Sequence, residues 1–181
     1  MEPPKGSRWI TWSSVDPDGD TLGHTIWIRK AGEAAFRRVG DGLAAPPYAL
    51  EDAGLPEGIH EIKIEATDAA ANGPERALTD AKTTTFLVDH TPPALEVRPG
   101  PAPRAPGHVV LLAAARDSVG TIARAEYSLD PARSEPGWTP VPCRDGICDS
   151  AAETFLVEVE GPSGGRRIAL RVFDAAANSA T

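Results

Sequence analysis

Few residues of this chain could do chemistry, and the densest set is Asp16, Asp18 and Asp20, alternating in the string VDPDGD. Oxygen donors gathered in this way suit a hard cation such as calcium, which needs roughly six to eight oxygen ligands. The calcium-loop template stops after the third acid: Thr21 stands where it requires Gly, and Trp27 where it requires a bidentate Glu. The same acids also cap turns through their own backbone. Both readings stay open, a cation loop and a capped turn.

Cys143 and Cys148 bracket Arg144, Asp145, Gly146 and Ile147. A zinc centre would need two more soft ligands, yet the chain holds no other Cys, and His24, His60, His90 and His108 are scattered without ligand spacing. The pair reads as a short-range disulfide or as two free thiols. A disulfide would place the chain in an oxidising compartment.

Catalysis finds little support. Ser13 and Ser14 lack a matched His and acid motif, no GxSxG occurs, and the glycine-rich stretch 161–165 has no P-loop Lys. Glu158 and Glu160 alternate on an outward strand face, where solvation explains them. Aromatic residues offer a different chemistry, a platform for sugars. Trp9 and Trp12 sit three apart and point to opposite faces of a strand, and Trp27 points away from Ile26 and Ile28. Trp9 and Trp27 are therefore expected as outward aromatics on neighbouring strands, either covering a sheet face or binding glycan.

The elements that must position these residues come from a repeat. Ile62, Ile64, Ala66, Asp68 and Asn72 in IKIEATDAAAN match Ile168, Leu170, Val172, Asp174 and Asn178 in IALRVFDAAAN, at an offset of 106 residues. Each copy alternates apolar and polar residues like a half-buried strand, then breaks into an Asp-to-Asn turn. The offset is about the length of one sandwich domain. In the first copy strands are expected over 8–14, 25–30, 36–39, 60–68 and 83–88; in the second, over 108–116, 122–129, 138–141, 154–159 and 167–173. Phe36 and Trp138 fall at one point of the same hairpin, and Gly58 corresponds to Gly164.

Eighteen Pro and seventeen Gly fit a turn-rich β protein. A net charge of -8 without a basic stripe argues against nucleic acid and anionic membrane as partners. No apolar run approaches the roughly 18 residues of a membrane span, and nothing near Met1 resembles a signal peptide, so any export signal is expected outside this chain.

Three strings carry a resemblance: TWSSVDPDGDTL, the turn Leu55-Pro56-Glu57-Gly58 before an alternating strand ending Ala66-Thr67-Asp68, and the junction Asp89-His90-Thr91-Pro92-Pro93. They resemble bacterial fibronectin type III and related immunoglobulin-like repeats. The second copy, with AEYSLD, a hairpin containing Trp138 and RVFDAAAN, is similar to the bacterial immunoglobulin-like domains that follow such repeats. The resemblance implies an all-β chain of two tandem immunoglobulin-like (fibronectin type III-like) β-sandwiches. The first, fibronectin type III-like, spans 1–91; the second, immunoglobulin-like, spans 92–181 and is short of its last strand. Where the family places a corner Tyr, this chain has His60 and Arg166, so the tyrosine-corner bond is expected to be absent or replaced.

In that topology the loop after the second strand shares a pole with the loop after the sixth. Asp68 and Asn72 would then join Asp16, Asp18 and Asp20 as a calcium set, against the same turn-capping alternative. The equivalent pole of the second copy carries Asp117, Asp174 and Asn178, beside Asp89 of the junction, a thinner version of the same set. Both ends look short against the family, which suggests a fragment of a longer array or a strand supplied by a partner. Function is expected to be non-catalytic: a structural or interaction module of a secreted or surface-anchored bacterial protein, spacing, presenting or joining other domains of the same parent chain, with adhesion to protein or glycan ligands as an extension. Its place would be extracellular, on the cell surface or periplasmic. The rival is a carbohydrate-binding accessory region of a secreted hydrolase.

Overall fold

The computed structural model of the protein describes residues 3–4, 6–73, 75–133, 137–161 and 167–181. The chain is all-β and divides into two compact units, Met1–Val88 and Asp89–Thr181.

In the first unit the alternation HTIWI drives β2 (Gly23–Lys30) to bury His24, Ile26 and Ile28 while Thr25, Trp27 and Arg29 stay partly exposed. Its partner β5 (Gly58–Thr67) sets Ile64 opposite Ile26 and Ile62 opposite Ile28. Matched rows of β-branched residues on one face are the unit of sheet stabilisation. With β3 (Arg37–Leu43) and β6 (Thr79–Val88) these strands form a sheet of order β3-β2-β5-β6. A second sheet pairs β1 (Ser7–Ile10) with β4 (Tyr48–Glu51). Leu50 from the second sheet joins Ile26, Ile28, Leu55, Ile62 and Val88 in one core, with Ile10 and Trp12 packed against it. Two sheets sharing one core is the arrangement of a β-sandwich. Gly58 enters β5 at φ +118, a conformation that excludes side chains, which is why the turn before this strand needs glycine.

The second unit holds β7 (Ala94–Pro99), β8 (His108–Arg116), β9 (Ile122–Ser128), β10 (Thr139–Val141), β11 (Ala152–Glu160), β12 (Ala169–Asp174) and β13 (Ser179–Ala180). They form sheets of order β11-β8-β7 and β10-β9-β12-β13. In β11, Glu153, Phe155, Val157 and Val159 are buried, and the residues between them face outward or lie at the boundary. Phe155 and Val157 meet Ala113, Ala115, Ile122, Ala125 and Val172 in the core, so the small alanines of β8 make room for the buried Phe155 ring.

The expected strands exist with shifted bounds, β8 covering the expected residues. The first expected strand stops at Ile10 rather than running to Ser14. Three strands, β4, β7 and β13, were not expected: β4 has four residues, β13 has two, and β7 exposes most of its side chains. None carries a long alternation. Gly164 and Arg166 lie outside the described residues. The other corner position, His60, is 2 % exposed; its Nδ1 lies 3.2 Å from the carbonyl of Gly58 and its ring 5.5 Å from that of Phe86.

Because Phe155 fills the second core, Phe155→Ala should lower the unfolding free energy of that unit by about 3–5 kcal/mol, with Phe155→Leu milder; urea unfolding curves measure both.

Candidate functional site

The acid loop of the first unit folds on itself. Asp16 Oδ1 accepts the backbone N–H of Asp18 at 2.9 Å and of Asp20 at 3.1 Å, closing the turn that Gly19 allows at φ +80. Asn72 then links two elements: its Nδ2 donates to Asp20 Oδ2 at 2.7 Å and to Asp68 Oδ2 at 2.9 Å. Asp68 Oδ1 accepts Leu78 N at 2.7 Å, which ties the turn after β5 to the start of β6. Between Asp68 and Gly73 the chain makes one helical turn, α1 (Ala69–Asn72), which places Asn72 back over Asp68. Asp20, Asp68 and Asn72 thus meet. Asp16 engages its own loop, and Asp18 joins that turn through its backbone N–H.

A pair that the sequence motifs did not reveal lies nearby. Ser14 Oγ sits 2.7 Å from His24 Nε2, and His24 Nδ1 lies 2.9 Å from the carbonyl of Leu43. The carbonyl accepts from Nδ1–H, which leaves Nε2 to accept the Ser14 hydroxyl. His24 is in phase with Ile26 and Ile28, hence buried at 3 % exposure, and a buried imidazole requires partners. That phase was the signal available in the sequence. The pair borders a groove of about 620 Å³ between residues 11–17 and the sheet, lined also by Trp12, Ile62, Ile64 and Lys82. A hydroxyl hydrogen-bonded to an oriented imidazole meets the first geometric demand of nucleophilic catalysis. The orienting group is a neutral carbonyl, however, and brings no charge to stabilise an imidazolium. In the fold the pair ties the segment after β1 to β2.

The outward aromatics are covered by cations. Arg29 lies 4.2 Å over Phe36 and pairs with Glu61; Arg171 lies 3.8 Å over Trp138 and pairs with Glu126. The corresponding aromatics of the two copies are held in the same way, by stacking on a guanidinium that a carboxylate fixes from the side. Trp27 has Lys63 at 5.0 Å and Arg38 at 5.9 Å from its ring centre. The expectation that Trp9 and Trp27 stand on neighbouring strands is corrected. Trp9 is in β1, which pairs with β4, and Trp27 is in β2 of the other sheet. The chain crosses between sheets after β1, so the two rings share no platform.

Cys143 and Cys148 form a disulfide with their Cα atoms 5.5 Å apart. Cys143 is 3 % exposed, bridges to Phe155 and belongs to the second core, so the bond staples the intervening loop to buried structure. Gly146, at φ +94, turns that loop and donates its N–H to the carbonyl of Cys143 at 2.9 Å.

No protein-family model matches the chain, and no curated protein matches it. Among solved structures it is similar to the FN1-FN3 domains of chicken CNTN1, with a TM-score of 0.51 and 13 % identity. The match covers 99 % of this chain, which spans 60 % of the length of that one. The fold is fibronectin type III-like.

Two outcomes follow from these contacts. Cys143→Ser with Cys148→Ser should cost the second unit about 2 kcal/mol in urea unfolding, the scale expected for so short a loop. Ser14→Ala should cost no more than about 1 kcal/mol, since Ser14 is exposed and water can replace its hydroxyl toward His24.

Proposed function

We propose that the chain is a non-catalytic pair of tandem immunoglobulin-like sandwiches of fibronectin type III type, from a secreted or surface-anchored bacterial protein. Its work is to space, present or join the other domains of its parent chain, and adhesion is an extension of that work. One observation carries the reading: the match to a chain of fibronectin type III domains covers 99 % of this chain. The side chains with chemical potential add support, because they serve the fold. Asp16 and Asp68 cap turns, His24 binds a carbonyl and a serine, and the outer arginines stack on aromatics. The disulfide supports an oxidising location, outside the cell or periplasmic. Among the described residues no helix is long and apolar enough to cross a membrane.

A carbohydrate-binding role would draw on Trp9 and Trp27. Their separation into different sheets, and the cations over Trp27, favour the spacer reading.

The test has two arms. A fluorophosphonate probe reports whether Ser14 is an activated nucleophile, and calorimetric titration with soluble polysaccharides reports glycan binding. We expect no labelling and no saturable heat. Labelling lost in His24→Ala would make the chain a hydrolase; saturable binding lost in Trp27→Ala would make it a carbohydrate-binding region.

A further inference from the structure

Three carboxylates of the second unit converge. Asp89 precedes β7, Asp117 follows β8 and Asp174 ends β12, and one oxygen of each lies within 4.8 Å of the other two. They are 5 %, 4 % and 2 % exposed. Strand pairing brings two of them together, since Asp174 is in register with Ile122, at the far end of the loop that Asp117 opens.

Turn capping explains only part of this arrangement. Asp117 Oδ1 accepts the N–H groups of Val119 and Gly120. Asp174 Oδ1 accepts Asn178 N, and its Oδ2 accepts Asn178 Nδ2, both at 2.8 Å. Asp89 Oδ1 accepts Thr91 N at 3.1 Å. Asp117 Oδ2 is buried, and among the described residues no hydrogen-bond donor reaches it. Burial of a carboxylate oxygen without a donor is costly, and like charges at this spacing disfavour one another. Among the described residues neither Asp117 nor Asp174 forms an ion pair.

We propose that Asp89, Asp117 and Asp174 bind a calcium ion. The donors are all oxygen, with no thiolate or imidazole among them, which selects a hard cation. Magnesium retains several waters and takes one or two carboxylates, whereas an enclosed set of three suits calcium. Asn178 stands ready beside them, its Nδ2 donating to Asp174 and, at 3.1 Å, to the main-chain carbonyl of Asp89. A half-turn of its amide presents Oδ1 instead, a fourth oxygen. The site stands independently of the role proposed for the module.

The experiment is calorimetric titration of the full chain with calcium chloride after chelator treatment, with thermal melts in calcium, magnesium and chelator. One saturable calcium per chain and a calcium-dependent rise in Tm are expected. Asp117→Asn keeps the Oδ1 cap of the loop while removing one of three negative charges. It should melt in chelator no lower than the unsubstituted protein, yet bind calcium at least tenfold more weakly. Asp16→Asn with Asp18→Asn should leave binding unchanged. Absence of saturable binding by the unsubstituted chain overturns the proposal without recourse to any variant. So does unweakened binding by Asp117→Asn, loss of binding on changing Asp16 and Asp18, or an equal rise in Tm with magnesium.

Discussion

Burial of one side-chain row per strand is the constraint on which the rest of this structure depends. In β12 the buried row runs Leu170, Val172, Asp174, and along β5 and its exit the same phase runs through Ile62 and Ile64 to Asp68. Burial keeps alternating as far as Asp174, although the pairing with β9 is irregular between Phe173 and Asp174, so an acid placed two residues after the last apolar member is carried inward with it. Once inside, the carboxylate must find donors. In each copy the Asn four residues later supplies one through Nδ2, at 2.9 Å in the first and 2.8 Å in the second. The turn chemistry is therefore a consequence of the core pattern rather than a separate signal.

The opposite rows obey the same rule with different partners. On the outer rows Arg29 and Arg171 lie over aromatics while a carboxylate of the adjacent strand, Glu61 or Glu126, holds each. Glu126 receives both Arg124 and Arg171 at 2.8 Å, and Arg124 sits 3.5 Å over Phe173. Each such surface pair is weak alone. Together they cover rings that would otherwise present apolar surface to solvent.

Local pattern made the longer strands legible, and non-local pairing hid the rest. Alternation marks β2, β5, β11 and β12, where one row is apolar for several residues, and β8 shows as a continuous apolar run. Tyr48–Glu51 is too short to show a period, and Ala94–Pro99 shows little burial from which a period could be read. The phase of Trp9 and Trp27 was readable, but which sheet each joins was not, because sheet membership depends on hydrogen bonds between strands distant in sequence. The candidate sites divide in the same way. Proximity in the chain made the Cys143–Cys148 bond one of two readings, and the structure shows it formed. Ser14 and His24 meet across a loop that no motif marks, whereas Asp89, Asp117 and Asp174, which come from three separate segments, were set at one pole by the topology the resemblance implies rather than by spacing.

The strand β6 carries the same row to the edge of its sheet. Its residues opposite the core row of β5 are Val88, Phe86, Thr84, Lys82 and Asp80, in register with Gly58, His60, Ile62, Ile64 and Ala66. The row thus passes from apolar to charged along a single strand, and the charged end lines the groove beside Trp12. A terminal strand with free backbone groups invites pairing with another molecule, and charges set on its inner face oppose this by making close stacking of a second sheet unfavourable. Lys82 and Asp80 thus set charge on the inner row of an edge strand, one of the features that disfavour such pairing.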